Sequence, residues 1–203
     1  MAGGLNPVAQ SLMQTLSNQP SLVMKMQILS MGKNYDVMDP AQTVLCRIGL
    51  DASQNMQGKA VESLVGGYIG RYAARSGNYT YTVKDPAGNL GFEIRKTGGG
   101  NHSQFHVVDP FLGTAVGLIE LKRSLMGGLD ATWLAPNGQP IMTTKGSILR
   151  RTYEMVGADG REIGHVRHKI LAVRDVWELE LGAGSNHLFS SMFATILDFE
   201  KEM

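Results

Sequence analysis

Ser185-Asn-His-Leu-Phe-Ser-Ser-Met-Phe-Ala-Thr-Ile-Leu197 is the stretch on which the reading of this chain turns. No Lys, Arg, Asp or Glu occurs between Asn186 and Leu197. Wound as a helix, Leu188, Phe189, Met192, Phe193, Ala194, Ile196, Leu197 and Phe199 cover most of the circumference rather than one stripe. A helix that is apolar all round is enclosed by protein or lies in a bilayer. About twelve apolar residues fall short of the ~20 that a spanning helix needs. The segment 186–200 is therefore predicted to be an enclosed helix, capped by Ser185 or Asn186 after Gly182-Ala-Gly184.

The enclosing material is announced by a repeat. Tyr35-Asp-Val-Met-Asp-Pro-Ala-Gln42, Tyr81-Thr-Val-Lys-Asp-Pro-Ala-Gly88, Phe105-His-Val-Val-Asp-Pro-Phe-Leu-Gly113 and Tyr153-Glu-Met-Val-Gly-Ala-Asp-Gly160 share one plan. Ala131-Thr-Trp-Leu-Ala-Pro-Asn-Gly138 keeps the turn without the leading aromatic. Alternation of apolar and polar residues on both sides of a turn is the pattern of a hairpin with one face inward. Pro presets φ, Asp or Asn bonds its own backbone, and Gly takes the left-handed position. Asp39, Asp85 and Asp109 are read as turn formers on this ground, not as metal ligands or catalytic acids.

Reading outward from the turns predicts about twelve strands, near 21–31, 34–39, 42–49, 78–85, 89–96, 103–109, 115–122, 129–135, 139–145, 149–156, 161–168 and 174–182. Many short, regularly spaced strands suggest a sandwich or a barrel, and closure would remove exposed edges. Two further helices are predicted. One spans Pro7 to Leu16 (Val8, Leu12, Leu16 on one face). The other spans 57–74, with Val61, Leu64, Val65, Tyr68 and Tyr72 aligned.

The bulk numbers agree with a single domain that buries a real core: 203 residues, 43% apolar and 18% charged. Nineteen basic and eighteen acidic residues give a net charge of +1, which argues against a protein that coats nucleic acid. The lone Cys46 lies in an apolar strand pattern and reads as packing. With no secretory signal visible over Met1 to Gln10, a cytoplasmic setting is expected.

Short strands with Asp-Pro hairpins, followed by a wholly apolar terminal helix, resemble the tubby-like superfamily. That group includes the tubby C-terminal domain, the phospholipid scramblases and the LURP-one-related proteins. The nearest likeness is to the LURP-one-related group. Met24-Lys-Met-Gln-Ile-Leu-Ser-Met-Gly-Lys-Asn-Tyr-Asp-Val-Met-Asp39 has a basic strand, a Ser-x-Gly-x-x-Tyr corner and a first hairpin in that group's order. Ile196-Leu-Asp-Phe-Glu200 resembles the terminal helix of scramblases. The resemblance covers roughly residues 21–200 and implies a mainly β fold: a closed antiparallel barrel of about twelve strands around a central hydrophobic C-terminal helix. The helix near 57–74 would be an insertion, residues 1–20 an N-terminal helical extension, and 21–203 the barrel domain. The resemblance implies a non-enzymatic, lipid-binding or membrane-associated protein of scramblase-like type. Where scramblases carry an acidic calcium loop, this chain reads Ala172-Val-Arg-Asp-Val-Trp-Glu-Leu-Glu-Leu181. Asp175, Glu178 and Glu180 alternate along a strand there instead of clustering as a hard cation needs.

No catalytic residue, cofactor or metal site is predicted. Gly-x-Ser-x-Gly, Cys-x-x-Cys and a phosphate loop are absent from the sequence. His102 and His106, four apart on a strand, stand about 13 Å apart, and His165 and His168 face opposite sides. Lys122, Arg123, Lys145, Arg150, Arg151, Arg167 and Lys169 fall near strand ends or outward positions. They are the candidates for gripping anionic phospholipid headgroups at a membrane surface, with scattered solubilising charge as the competing reading. Val61, Leu64, Tyr68 and Tyr72 are candidates for a surface that docks a protein partner, in a soluble interaction or adaptor module; docking on the chain's own barrel competes. No nucleic-acid partner is expected, and the expected location is cytoplasmic and peripheral at the membrane.

Overall fold

In the computed structural model the described residues are 4–27, 34–50, 80–99, 102–123, 128–147, 151–170, 175–182 and 185–200. The predicted helix over 57–74 and Arg150 lie outside them. Helix α1 (Pro7–Ser17) comes first. Strands β1 (Ser21–Met26), β2 (Asn34–Met38), β3 (Val44–Leu50), β4 (Thr80–Lys84), β5 (Leu90–Gly99) and β6 (His102–Val108) follow. The second half holds β7 (Ala115–Arg123), β8 (Gly128–Leu134), β9 (Pro140–Ser147), β10 (Thr152–Gly157), β11 (Glu162–Ile170), β12 (Asp175–Leu181) and helix α2 (His187–Glu200). Each strand pairs antiparallel with its sequence neighbour, and β12 returns to pair with β1, from Ser21↔Glu180 to Lys25↔Val176. The sheet is thus a closed twelve-stranded barrel, as the sequence pattern and the resemblance implied.

Five tight hairpins define one end of the barrel, called here the turn end. Each is built by the same local chemistry. In the β4–β5 turn, the Gly88 N–H donates to the Asp85 carbonyl at 3.0 Å, and the Asn89 N–H donates to the Asp85 carboxylate at 2.8 Å. Those bonds and the Asn89 side chain hold the exposed Asp85 carboxyl below the usual carboxylate range. Every one of the five hairpins carries a register shift beside its turn, at Val37/Met38, Val83/Lys84, Val107/Val108, Trp133/Leu134 and Met155/Val156. Four of them are three-residue hairpin loops with a left-handed residue and an adjoining bulge, and the β6–β7 loop has one residue more. Gly88, Gly113, Gly138 and Gly160 supply the positive φ at four turns, and Gln42 (φ 67°) does so at the first.

Period-two alternation sends Tyr35, Val37, Tyr81, Val83, Phe92, Ile94, Phe105, Val107, Tyr153, Met155, Trp177 and Leu179 inward, where all are buried. They close on α2, whose residues 187–198 are buried without interruption. Phe189 packs on Trp133, and Phe193 meets Tyr153 edge-on with ring centres 5.7 Å apart. The predicted enclosure of 188–197 therefore holds. Asn186 is the cap: its carbonyl accepts from the Ser190 N–H at 2.9 Å. Three hydroxyls inside the barrel bond back along the helix, Ser190 to the Asn186 carbonyl, Ser191 to that of His187 and Thr195 to that of Ser191, so none opposes burial.

Helix α1 plugs the turn end. Ala9, Leu12 and Leu16 are buried in the common core, so the apolar face of α1 is covered by the chain's own barrel. Asn6 caps the helix by accepting from the Ala9 N–H at 3.0 Å. Its own N–H donates to the Asp109 carboxylate at 2.6 Å, and its amide donates to the Gly91 carbonyl at 3.2 Å. Beyond α1, His187 is tied to the Gln19 carbonyl through Nε2 at 2.5 Å.

Candidate functional site

Among the described residues the interior is closely packed. A gap of about 10 Å³ among Ile119, Trp133, Met142, Thr144, Phe189 and Phe193 is far too small for a lipid chain or a metabolite. Cys46 is fully buried, and burial, with the Asp36 charge adding, pushes its thiol up to about 12; its role is packing.

One group of buried polar side chains escaped the sequence reading. The Tyr35 hydroxyl donates to the Asp198 carboxylate, and Nε2 of His168 stands 3.9 Å from the other carboxylate oxygen. Lys96 is also buried, its amine 5.8 Å from the Phe105 ring centre. These groups lie toward the end of the barrel opposite the turns, where α2 finishes. Strict alternation would have found two of them, since Lys96 follows Phe92 and Ile94, and His168 follows Val166. Enclosure bars substrate access, so the cluster reads as internal structure. Among the described residues, no three His, Cys, Asp or Glu side chains come together as a metal site would require.

The outer surface at that same end holds the basic candidates. Lys122 on β7 and Lys145 on β9 both stand opposite Asp130 on β8, which puts their Cα atoms two strands, roughly 10 Å, apart. Arg151 lies just before β10 in the left-handed region, φ 56°. All three are exposed, and none makes an ion pair within 4 Å among the described residues. The other described basic candidates differ. Lys169 is held by Glu178 at 2.6 Å and Arg167 by Glu180 at 3.5 Å across the β11–β12 ladder. Those contacts also engage two of the acidic residues considered above for calcium. Arg123 follows Lys122 at the end of β7. The structure therefore gathers Lys122, Lys145 and Arg151 on one rim and sets Arg167 and Lys169 apart as neutralised pairs. Val61, Leu64, Tyr68 and Tyr72 lie outside the described residues.

The His pairs behave as the parity argument predicted. His168 is buried in the core, whereas His165 faces the other side of the strand, half-buried, with Nε2 3.0 Å from Glu162. No helix among the described residues is long and apolar enough to cross a membrane.

Comparison with known proteins fits this architecture. The LURP-one-related family matches residues 20–198, from the strand that opens the barrel to Asp198 near the end of its central helix. The crystal structure of a protein from Arabidopsis thaliana aligns with a TM-score of 0.53 over 90% of this chain and 93% of that one. At 14% identity, that likeness shows the fold alone. No curated protein matches the chain. On a match that spans the whole barrel and its core helix, the chain belongs to the LURP-one-related family.

Proposed function

We propose that this barrel is a non-enzymatic binding protein that attaches peripherally to membranes on the cytoplasmic side, through anionic lipid headgroups at the Lys122–Lys145–Arg151 rim. The observation that supports the reading is the contrast between these three cations, which make no ion pair within 4 Å among the described residues although Asp130 and Glu154 stand opposite in the ladder, and the paired cations on the neighbouring strands. The close packing of the described interior favours surface binding over catalysis. A cation near an anionic bilayer gains about 1 kcal/mol, and the exposed Asp130 between Lys122 and Lys145 offsets part of the sum of the three. That attraction weakens as salt shortens the Debye length.

Flotation with vesicles containing phosphatidylserine tests this. The protein should float at low salt, and added salt should weaken the anionic-lipid-dependent part of that binding. The double variant Lys122→Glu, Lys145→Glu should bind at least tenfold more weakly with an unchanged melting temperature. Failure of the unaltered protein to bind, or equal binding by the variant, overturns the reading. Lipid scrambling is a separate matter, because α2 would have to leave the barrel before it could enter a bilayer. A dye-labelled lipid assay in reconstituted vesicles, with and without calcium, checks it directly.

A further inference from the structure

We infer that the β6–β7 hairpin is an apolar wedge that inserts into the acyl boundary of a lipid bilayer, at the pole opposite the basic rim. The inference starts from the repeat. Four turns at this end have the same length, and their exposed positions read Pro40-Ala41, Pro86-Ala87, Pro136-Asn137 and Ala158-Asp159. The remaining one reads Pro110-Phe111-Leu112, one residue longer. Where the Gly88 N–H reaches back three residues to Asp85, the Gly113 N–H reaches back four to Asp109, at 2.9 Å. The extra residue enlarges the tip, and the two side chains placed there are large and apolar.

Phe111 is 66% exposed and Leu112 57%. Among the described residues, the one other exposed large apolar side chain is Ile141 at 37%, on the neighbouring β8–β9 hairpin at the same end. The β7–β9 flank carries no charge, none occurring from Pro110 to Ile119 or from Ala131 to Thr144; on the β5 flank, Glu93 stands opposite Val108 and is paired with Arg95 at 2.7 Å. Asp109 itself is buried. Its Oδ1 accepts from the Phe111 and Leu112 N–H groups at 3.0 and 3.2 Å, and its Oδ2 accepts from Asn6. The tip is therefore fixed before it meets anything, and ordering it on binding costs little.

The size of the patch selects the occupant. At about 200 Å² per fully exposed side chain, Phe111, Leu112 and Ile141 present roughly 300 Å². A stable protein interface needs about 800 Å² from each partner, with a complementary cavity to receive a convex tip. A bilayer needs neither, because acyl chains close around whatever enters, and the tip from Pro110 to Gly113 carries no charge that has to lose its water. The wedge stands independently of the rim reading, and the two are separable by salt and by lipid.

The test uses the full chain with phosphatidylcholine vesicles in about 0.5 M salt, where attraction at the rim is screened. In the variant Phe111→Trp, the native Trp133 and Trp177 are buried and give a constant background. Adding vesicles should shift the emission to the blue, and brominated acyl chains should quench it. A second variant, Phe111→Ala with Leu112 deleted, rebuilds the turn of Asp85–Asn89, which this same barrel already folds. It should keep the melting temperature and lose vesicle binding at least tenfold. An unshifted, unquenched reporter in folded protein overturns the inference, as does equal binding by the shortened turn. So does a lipid-free dimer in sedimentation that Phe111→Ser abolishes, since the occupant would then be a second copy. Binding that requires anionic lipid and low salt, and that responds to Lys122→Glu, Lys145→Glu but not to the tip, would uphold the rim and refute the wedge.

Discussion

Replacing Asp109 with asparagine removes one hydrogen bond acceptor from the barrel and leaves its turn in place. In the native side chain Oδ1 holds the turn through Phe111 and Leu112, while Oδ2 receives the Asn6 N–H, 103 residues away in sequence, at 2.6 Å. An asparagine keeps an oxygen toward the turn and turns an NH₂ against the Asn6 N–H, so two donors face each other in a buried site. A hydrogen bond to a charged group contributes about 1.5–3 kcal/mol, and an unpaired buried N–H costs about 1–3 kcal/mol. These are two views of one loss, and Asp109→Asn should destabilise by about 2–3 kcal/mol. For a chain of this length that lowers the melting temperature by about 5–10 °C. The acid limb adds a second readout. Burial alone would raise the Asp109 carboxyl, but bonds from Asn6, Leu112 and Phe111 outweigh it and hold it below the ordinary value of 3.8. Its contribution is thus complete above pH ~4 and is lost as pH falls through the lower, folded value. Urea unfolding followed by Trp fluorescence at pH 7 and near pH 3 should show the variant less stable at neutrality and closer to the native chain in acid. Amide exchange in α1 should speed up. A variant within 0.5 kcal/mol of the native chain at neutrality, with the same acid slope, would refute the clamp.

Two further outcomes follow from the turns and the core. Gln42 occupies the left-handed position that glycine fills in the other four turns, and a side chain there costs roughly 1–2 kcal/mol. Gln42→Gly forfeits the hydrogen bond from Lys25 but should still raise stability by about 0.5–1 kcal/mol in urea titrations; a loss would show that bond to dominate. Cys46, buried with its thiol pushed up to about 12, should resist a thiol reagent at pH 8 in the native chain and react at once in denaturant. Rapid native labelling would mean that β3 opens.

Much of the fold was legible because its signals are local. Alternation around Asp-Pro turns fixed the strands to within a few residues, and the charge-free run before Leu197 marked the helix that the barrel encloses. What was not legible depends on partners far apart in sequence. Nothing near Asp109 announces Asn6, and the face of α1 formed by Leu12 and Leu16 reads identically whether it waits for a partner or plugs its own barrel. The rim shows the same limit. Lys122 and Lys169 look alike as exposed cations near strand ends, and the β11–β12 register, which sets Lys169 beside Glu178, is what separates them. The tip of the β6–β7 hairpin was visible as a repeat, but its extra residue gained meaning only when the turns could be compared as built.

Closure between β1 and β12 also says when this protein can fold. The strands that seal the ring are made roughly 150 residues apart, and the helix that fills it is made later still. A growing chain on the ribosome can form hairpins one after another, but it has no core to wrap and no edge to seal against. For most of synthesis it is an unfinished sheet with its greasy side uncovered, the state most prone to aggregate and most in need of a chaperone. A chain halted before residue 187 has lost the one element around which all the others are arranged.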